Sequence, residues 1–473
     1  MVHDSATILL DTIIHVCVND GRGAKIGAPN HEGQGQMTTM AEPMTVDSGS
    51  STEPQPTAAQ TSAAEPPIRA DRALNAIYTG AFTAFLGLTI ADVVFPLLVL
   101  GFTGKPLLAG LFGTIQFTAL VVASVPAGNF VDRHDRRRVL IASETVRATL
   151  ATVLAVTLSA GHVWLAEIYL IAAILGACQP FSSVRTLALR SMAPASQLTK
   201  ALSIEQVVSS VAQLVGPAVG TVLYSVNRSL PFVALAAGMG VSVLCATLVR
   251  FETKPQPASE ASPGAAEPAN EDESAFAGIR IIWSSPVMRG TMLFIMLINL
   301  IGVPLDLVLI VQAKHEGVPT HLIGLILAAF AGGGIIGAPC IPKLYKLLRP
   351  GQLLIAFGAL ISLSLLMTGL FQLGGFWMAG WLAAVGFAVP AAQVLVDVLI
   401  LRQVPDHQRG RVLTALMTFM GLGMPIGAAF GGSVLQLASP STVLYGAAVA
   451  MAGIAAFAAS QRALRAAQWP SAN

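Results

Sequence analysis

The sequence predicts an all-α membrane protein with twelve transmembrane helices in two pseudo-symmetric six-helix bundles. Three observations carry that prediction. Of 473 residues, 54% are apolar and only 11% charged, where a soluble domain carries about 25% charged residues. The apolar residues gather into twelve runs, each near the ~20 residues that a spanning helix needs. The second half of the chain also repeats features of the first in the same order.

In chain order, residues 1–70 are rich in Ala, Pro, Ser, Thr, Glu and Gly and read as a disordered leader. Their one apolar patch, 8–18, is too short to span and is broken by Asp11 and His15. It lacks the basic start and cleavage site of a signal peptide. The apolar runs follow at 74–100, 106–131, 139–160, 164–188, 201–226 and 230–250, then at 288–312, 319–342, 351–373, 376–401, 412–436 and 441–461. This gives an N-terminal bundle over 71–250 and a C-terminal bundle over 288–466, with a tail at 467–473. Between the bundles, 251–287 opens with the polar stretch PQPASEASPGAAEPANEDES. It reads as a flexible cytoplasmic linker that ends in a short interfacial helix around Trp283.

Charge sets the orientation. With the N-terminus inside, the outward loops hold Lys105, Arg228 and Lys314. The inward side holds the block after Asp132, together with Arg190, Lys200, Arg250, Lys343, Arg402, Arg409 and others. Positive loops stay in the cytoplasm, so both termini are expected there, in a multi-pass protein of the cytoplasmic (inner) membrane.

Three echoes support a duplicated unit. Asp92 is followed by Pro106 and Gly110, and Asp306 by Pro319 and Gly324. LALRSMAP ends at Pro194 and LILRQVP at Pro405. GPAVG at 216–220 is answered by GMPIG at 423–427. Inverted or repeated bundles place a substrate site at their seam near mid-bilayer.

Residues 128–140, GNFVDRHDRRRVL, form an Arg-rich turn between the second and third runs. The turn resembles the loop signature of the major facilitator superfamily, Gly-x-Leu-x-Asp-Arg-x-Gly-Arg-Arg/Lys. Gly128, Asp132, Arg133, Arg136 and Arg137 match it. Phe130 stands for the Leu and Asp135 for the second Gly. That variant is similar to the branch of enterobactin-type siderophore exporters and macrolide-efflux pumps. Arg185 and the turn 405–411 also resemble this branch, and read as inner-gate contacts. Gly216, Pro217 and Gly220 resemble the helix-five signature of proton-driven antiporters, where a Pro bends a helix among small neighbours.

Charges inside apolar runs are the sharpest site signal, since a central carboxylate costs ~2.5–3.5 kcal/mol on insertion scales. Asp92 and Asp306 hold matching places in the two halves, on helices that the resemblance implies line a central cavity. In related exporters an acid often follows the Gly of the first helix directly; here Leu88 follows Gly87, and Asp92 comes one turn later. Desolvation favours the neutral form of a carboxyl, so such groups can take and release a proton as a cavity closes and opens. Asp397 reads either as a third such acid or as a partner of Arg402. Gln116, Gln179, Asn299 and Gln393 are the amides expected near the cavity. Glu144 and Arg147, three apart on the third run, read as an internal ion pair at a cytoplasmic gate with Gly128, Asp132, Arg133, Arg136 and Arg137.

Other classes are excluded by what is missing. No GxxxxGK[ST] or HExxH occurs, so no ATPase, enzyme, cofactor or metal is expected. The four cysteines fall into no pair or cluster. The net charge of +2 and scattered basic residues argue against nucleic acid. The resemblance implies a transporter that exports a small amphipathic organic molecule (drug, macrolide or siderophore) by proton antiport with alternating access. Its partners would be that molecule, protons and the bilayer, and a monomer is expected. The alternatives are a proton-coupled importer of the same fold and a membrane sensor that transports nothing.

Overall fold

In the computed structural model, among the described residues, eleven of the twelve apolar runs fall on one helix each, and the run 164–188 falls on two helices joined by a 3-10 turn. The structure describes residues 72–193, 195–249, 283, 286–337, 340, 344, 350–403 and 406–460. Side chains are described for most of these, but not for Asp132 or for 390–403 and 406–420. The leader, the linker, the proposed interfacial helix, Pro194 and Pro405, most of the basic loop at 341–349 and the side chains of Gln393, Asp397 and 406–411 therefore lie outside the described residues.

The first half comprises α1 (Arg72–Thr103), α2 (Pro106–Arg133), α3 (Arg136–Ser159), α4 (Leu165–Cys178), a 3-10 turn (Gln179–Ser182), α5 (Ser183–Met192), α6 (Leu198–Val226) and α7 (Leu230–Leu248). The second comprises α8 (Pro286–His315), α9 (Thr320–Gly337), α10 (Pro350–Leu370), α11 (Gly375–Gln403), α12 (Asp406–Leu437) and α13 (Pro440–Ser460). Among the described residues, ten helices are long and apolar enough to cross a membrane, with α4 and α5 counted as one. The remaining two, α11 and α12, run 29 and 32 residues as backbone; their shorter apolar stretches are Gly375–Val389 and Gly421–Leu437.

The helix ends follow local chemistry. On the face opposite the Arg-rich turn, α1, α3 and α8 stop at Gly104, Gly161 and Gly317, and α11 starts just after Gly374; all four glycines have positive φ, which only glycine adopts freely. Past α8, Val318 N–H reaches back to Ala313 O at 2.9 Å and Gly317 N–H to Lys314 O at 3.1 Å, the paired closure of a glycine-terminated helix. The Arg-rich turn closes by a different device. Asp135 caps α3, its carboxylate accepting from Arg137 N at 2.9 Å and Arg138 N at 3.4 Å. Its occupation of a place where the resembling signature has Gly thus has a local reason. Arg137 then donates through Nε to Ala246 O at 3.0 Å and through a terminal nitrogen to Thr247 O, filling the open carbonyls at the end of α7.

Packing obeys the duplication. α1 packs on α6 and α7 as α8 packs on α12 and, less closely, α13; α2 packs on α4 as α9 packs on α11; α3 packs on α7 as α10 packs on α13. The halves meet along two crossings, α2 with α12 and α6 with α9. Without a hydrophobic drive inside lipid, such contacts depend on small residues that let backbones approach. Gly110 sits against Gly432 and Ala428, and Gly324 against Pro217 and Thr221.

These contacts also correct one sequence echo. Gly220 lies against Ile90 and Gly431 against Pro304, while Asp92 corresponds to Asp306. The structural counterpart of Gly216 is therefore Gly427, one turn beyond the expected Gly423. Gly423, Gly427 and Gly431 recur every four residues, and such a run matches a GxxxG spacing in more than one register.

Candidate functional site

A cavity of about 400 Å³ lies at the seam of the halves. Its wall is mostly apolar, built from α8, α9, α10, α11 and α13 on one side and from α1, α2 and α6 on the other. The polar lining is Thr89, Asp92 and Gln213 from the first half and Asn299 and Asp306 from the second. Phe117 and Phe330 supply aromatic surface.

Asp92 and Asp306 both open onto this space rather than being packed among helices. They come from α1 and α8, the pseudo-equivalent first helices of the halves, and Asp92 feels the charge of Asp306. The Gln116 amide lies near the Asp92 carboxyl, reaching it from α2. Asn299 lies two turns before Asp306 and shares its cavity.

Thr89 and Gln213 line the cavity although the sequence analysis passed over them. Thr89 Oγ1 bridges to α6 at Ala212 O, 3.1 Å away, and Gly216 fits directly beneath it. Gln213 precedes Pro217 by four residues, on the same face of α6, and both line the cavity. That spacing was the available signal. α6 itself continues as one helix through Pro217, with Gly216 and Gly220 seated on Thr89 and Ile90.

A second polar cluster lies inside the first half, toward the Arg-rich face. Glu144, Arg147 and Arg185 are 1%, 2% and 5% exposed. The expected Glu144–Arg147 pair does not form. Glu144 instead pairs with Arg185, forty-one residues on, and Arg185 also donates to Ser242 at 2.9 Å and stacks over the Phe85 ring at 5.9 Å. Arg147 turns to the break between α4 and α5, donating to Ser182 Oγ at 3.0 Å and to Cys178 O. Pro180 cannot donate in that turn, so the chain there leaves the α-helical pattern, and the guanidinium serves the exposed carbonyl. Glu144 Oε2 and Arg147 Nε have no hydrogen-bond partner among the described residues.

Of the other expected gate residues, Arg133 is exposed, Arg136 is half-buried, and Arg137 caps α7 within its own half. Gly128 meets no neighbour within 4 Å of where a side chain would start. Gln179 opens the 3-10 turn. Among the described residues, no group of His, Cys, Asp and Glu is placed to hold a metal ion.

Two similar helical halves around an apolar, acid-bearing cavity define a membrane transporter architecture. The sequence matches the Major Facilitator Superfamily over residues 77–375 and 307–468, and the chain belongs to that family. Macrolide efflux protein A of Streptococcus pyogenes is 24% identical over 335 residues, 69% of this chain and 80% of its own. Enterobactin exporter EntS of Salmonella typhi is 25% identical over 384 residues, 79% of this chain and 88% of its own. Among solved structures, a bacterial homologue of the iron transporter ferroportin in an inward-facing state superposes with a TM-score of 0.63 at 14% identity, covering 82% of this chain and 99% of that one. The protein is thus a multi-pass membrane transporter of that superfamily, similar to proteins named for efflux.

Proposed function

We propose that this protein exports a small amphipathic organic molecule across the cytoplasmic membrane in exchange for protons. The observation that carries the reading is that Asp92 and Asp306, one from each half, line a single apolar cavity with few polar groups. A mostly oily wall suits an amphipathic cargo, and ionisable oxygens within it suit proton exchange. The efflux names of the relatives point the same way. In this reading the Arg-rich face is cytoplasmic, both termini lie on that side, and the two glycine crossings close the outer mouth. The halves rock about the cavity, exposing it to one side at a time. Gln116 and Asn299 tune the acids. The cluster of Glu144, Arg147 and Arg185, with the loop from Gly128 to Arg137, organises the inner mouth.

The test is transport into inside-out vesicles with an imposed, interior-acid pH gradient, using a panel of labelled macrolides, siderophores and cationic dyes. Accumulation of at least one compound should rise with the gradient and fall when nigericin collapses it. Uptake indifferent to the gradient would end the antiport reading, and gradient-driven movement in the opposite sense would mark an importer.

A further inference from the structure

We infer that the two cavity acids divide the work: Asp306, which shares its cavity with the Phe330 ring, holds the positive end of a monocationic amphipathic substrate, while Asp92, with Gln116, carries the exchanged proton. This deepens the proposed function and rests on it for the proton half.

The argument starts from a matched frame. Gly176 of α4 presses on the Gln116 carbonyl of α2, and Gly386 of α11 presses on the Phe330 carbonyl of α9. In sequence, Asp92 to Asp306 and Gln116 to Phe330 are both steps of 214 (306 − 92 and 330 − 116). Gly110 and Gly324, which bear the two crossings between the halves, are the same step apart (324 − 110). Gln116 and Phe330 therefore occupy equivalent positions on equivalent backbones, each 24 residues after its own half's acid (116 − 92 and 330 − 306).

Their chemistry differs. A glutamine amide has both donors and an acceptor, so Gln116 can donate to Asp92 as a carboxylate and accept from it as an acid. That partner serves both protonation states, which a proton carrier needs. Phe330 offers no hydrogen bond. It offers a π face, which attracts cations, and the attraction grows when the site is dry. An acid and an aromatic face lining one cavity together make a site for an organic cation. The rest of the second-half wall agrees: apart from Asn299 and Asp306 it is apolar, with Leu327, Ile361, Leu382 and Met451 among its residues. At about 400 Å³ the cavity is at the small end of the roughly 300–1,000 Å³ range of ligand sites. It suits a compact hydrophobic body with one fixed charge.

The probe is tetraphenylphosphonium, a permanent monocation, bound to the full-length protein in nanodiscs, with neutral triphenylphosphine oxide as competitor. Wild type should bind the cation, and the neutral compound should compete poorly. Asp306→Asn should weaken binding about tenfold or more, as expected for loss of a desolvated charge partner. Phe330→Leu should weaken it roughly three- to tenfold while Phe330→Tyr restores it, the size and pattern of a cation–π contact. Asp92→Asn should still bind the cation but no longer release a proton on binding, read with a pH dye in weak buffer. Size-exclusion profiles identify any variant that fails to fold, and the Phe330 pair keeps the test alive if an Asp variant does. Three results would each overturn the division: no binding by wild type, equal competition by the neutral compound, or equal loss in the two Asn variants. If instead binding follows this pattern while vesicle transport ignores the pH gradient, the antiport reading falls and the cation site stands.

Discussion

Gly110 and Gly432 touch backbone to backbone: a Cβ built on Gly110 would lie 2.6 Å from the Cα of Gly432 and 2.9 Å from the carbonyl oxygen of Ala428. Real Cβ atoms do not come so close, so this meeting of the halves requires glycine on both helices. Overpacking of such a contact costs about 1–3 kcal/mol. Gly432→Val should therefore shift the balance between conformers roughly five- to hundredfold toward the one open on the face opposite the Arg-rich turn. Spin labels at His162 and Ser439, both exposed on that face, should report a longer mean distance in the variant. An unchanged distance distribution would show that the crossing does not limit closure.

The pair of Glu144 and Arg185 predicts a pattern of stabilities rather than one number. Removing one partner of a buried pair leaves a charge uncompensated and costs about 3–5 kcal/mol. Glu144→Ala should sharply lower the thermal unfolding midpoint in detergent. Glu144→Ala combined with Arg185→Met should recover a substantial part, because the stranded guanidinium is gone. A double variant no better than the single one would mean that Arg185 is held mainly by Ser242 and the Phe85 ring.

Asp135 should behave as a helix cap. Loss of such a side chain to Ala costs about 0.5–2 kcal/mol, whereas Gly costs only a few tenths. Hydrogen exchange at the amides of Arg137 and Arg138 should accelerate markedly in Asp135→Ala and only slightly in Asp135→Gly. Equal acceleration in both would point to the charge of Asp135, rather than its capping bonds, as the stabilising feature.

Arg137 ties the start of α3 to the end of α7. Charged hydrogen bonds of this kind are worth about 1.5–3 kcal/mol. Arg137→Ala should loosen the last turn of α7, raising amide exchange at Cys245 to Val249. Arg137→Lys should restore it only in part, since a lysine cannot reproduce the two-pronged contact. Full protection in the Ala variant would rule out this tie.

Much of the fold was legible because lipid imposes crude, strong rules. Runs of apolar residues located the described helices, though not the break between α4 and α5. Asp92, Asp306 and Asn299 were legible for the same reason: polar atoms in an oily run must have somewhere to go. Thr89 and Gln213 were not, because a helix can satisfy a threonine on its own carbonyls and a single glutamine stands out from few of its neighbours. The partner of Glu144 was misread because spacing along one helix reports only local neighbours, whereas Arg185 arrives from another helix after a break. The register of the glycine echo failed for a different reason: three glycines at equal intervals fit more than one alignment, and only the contacts with Ile90 and Pro304 distinguish them.

The interruption between α4 and α5 leaves the rod jointed, with the Arg147 guanidinium as the bolt through the joint. Above the joint hangs Gly176, which sets the backbone beneath Gln116; below it hangs Arg185, tethered to Glu144. A tilt of the lower segment would tug on the same bolt that steadies the upper one. News of an event at the Arg-rich mouth therefore has a short mechanical route to Gln116 and its neighbour Asp92, through one buried side chain.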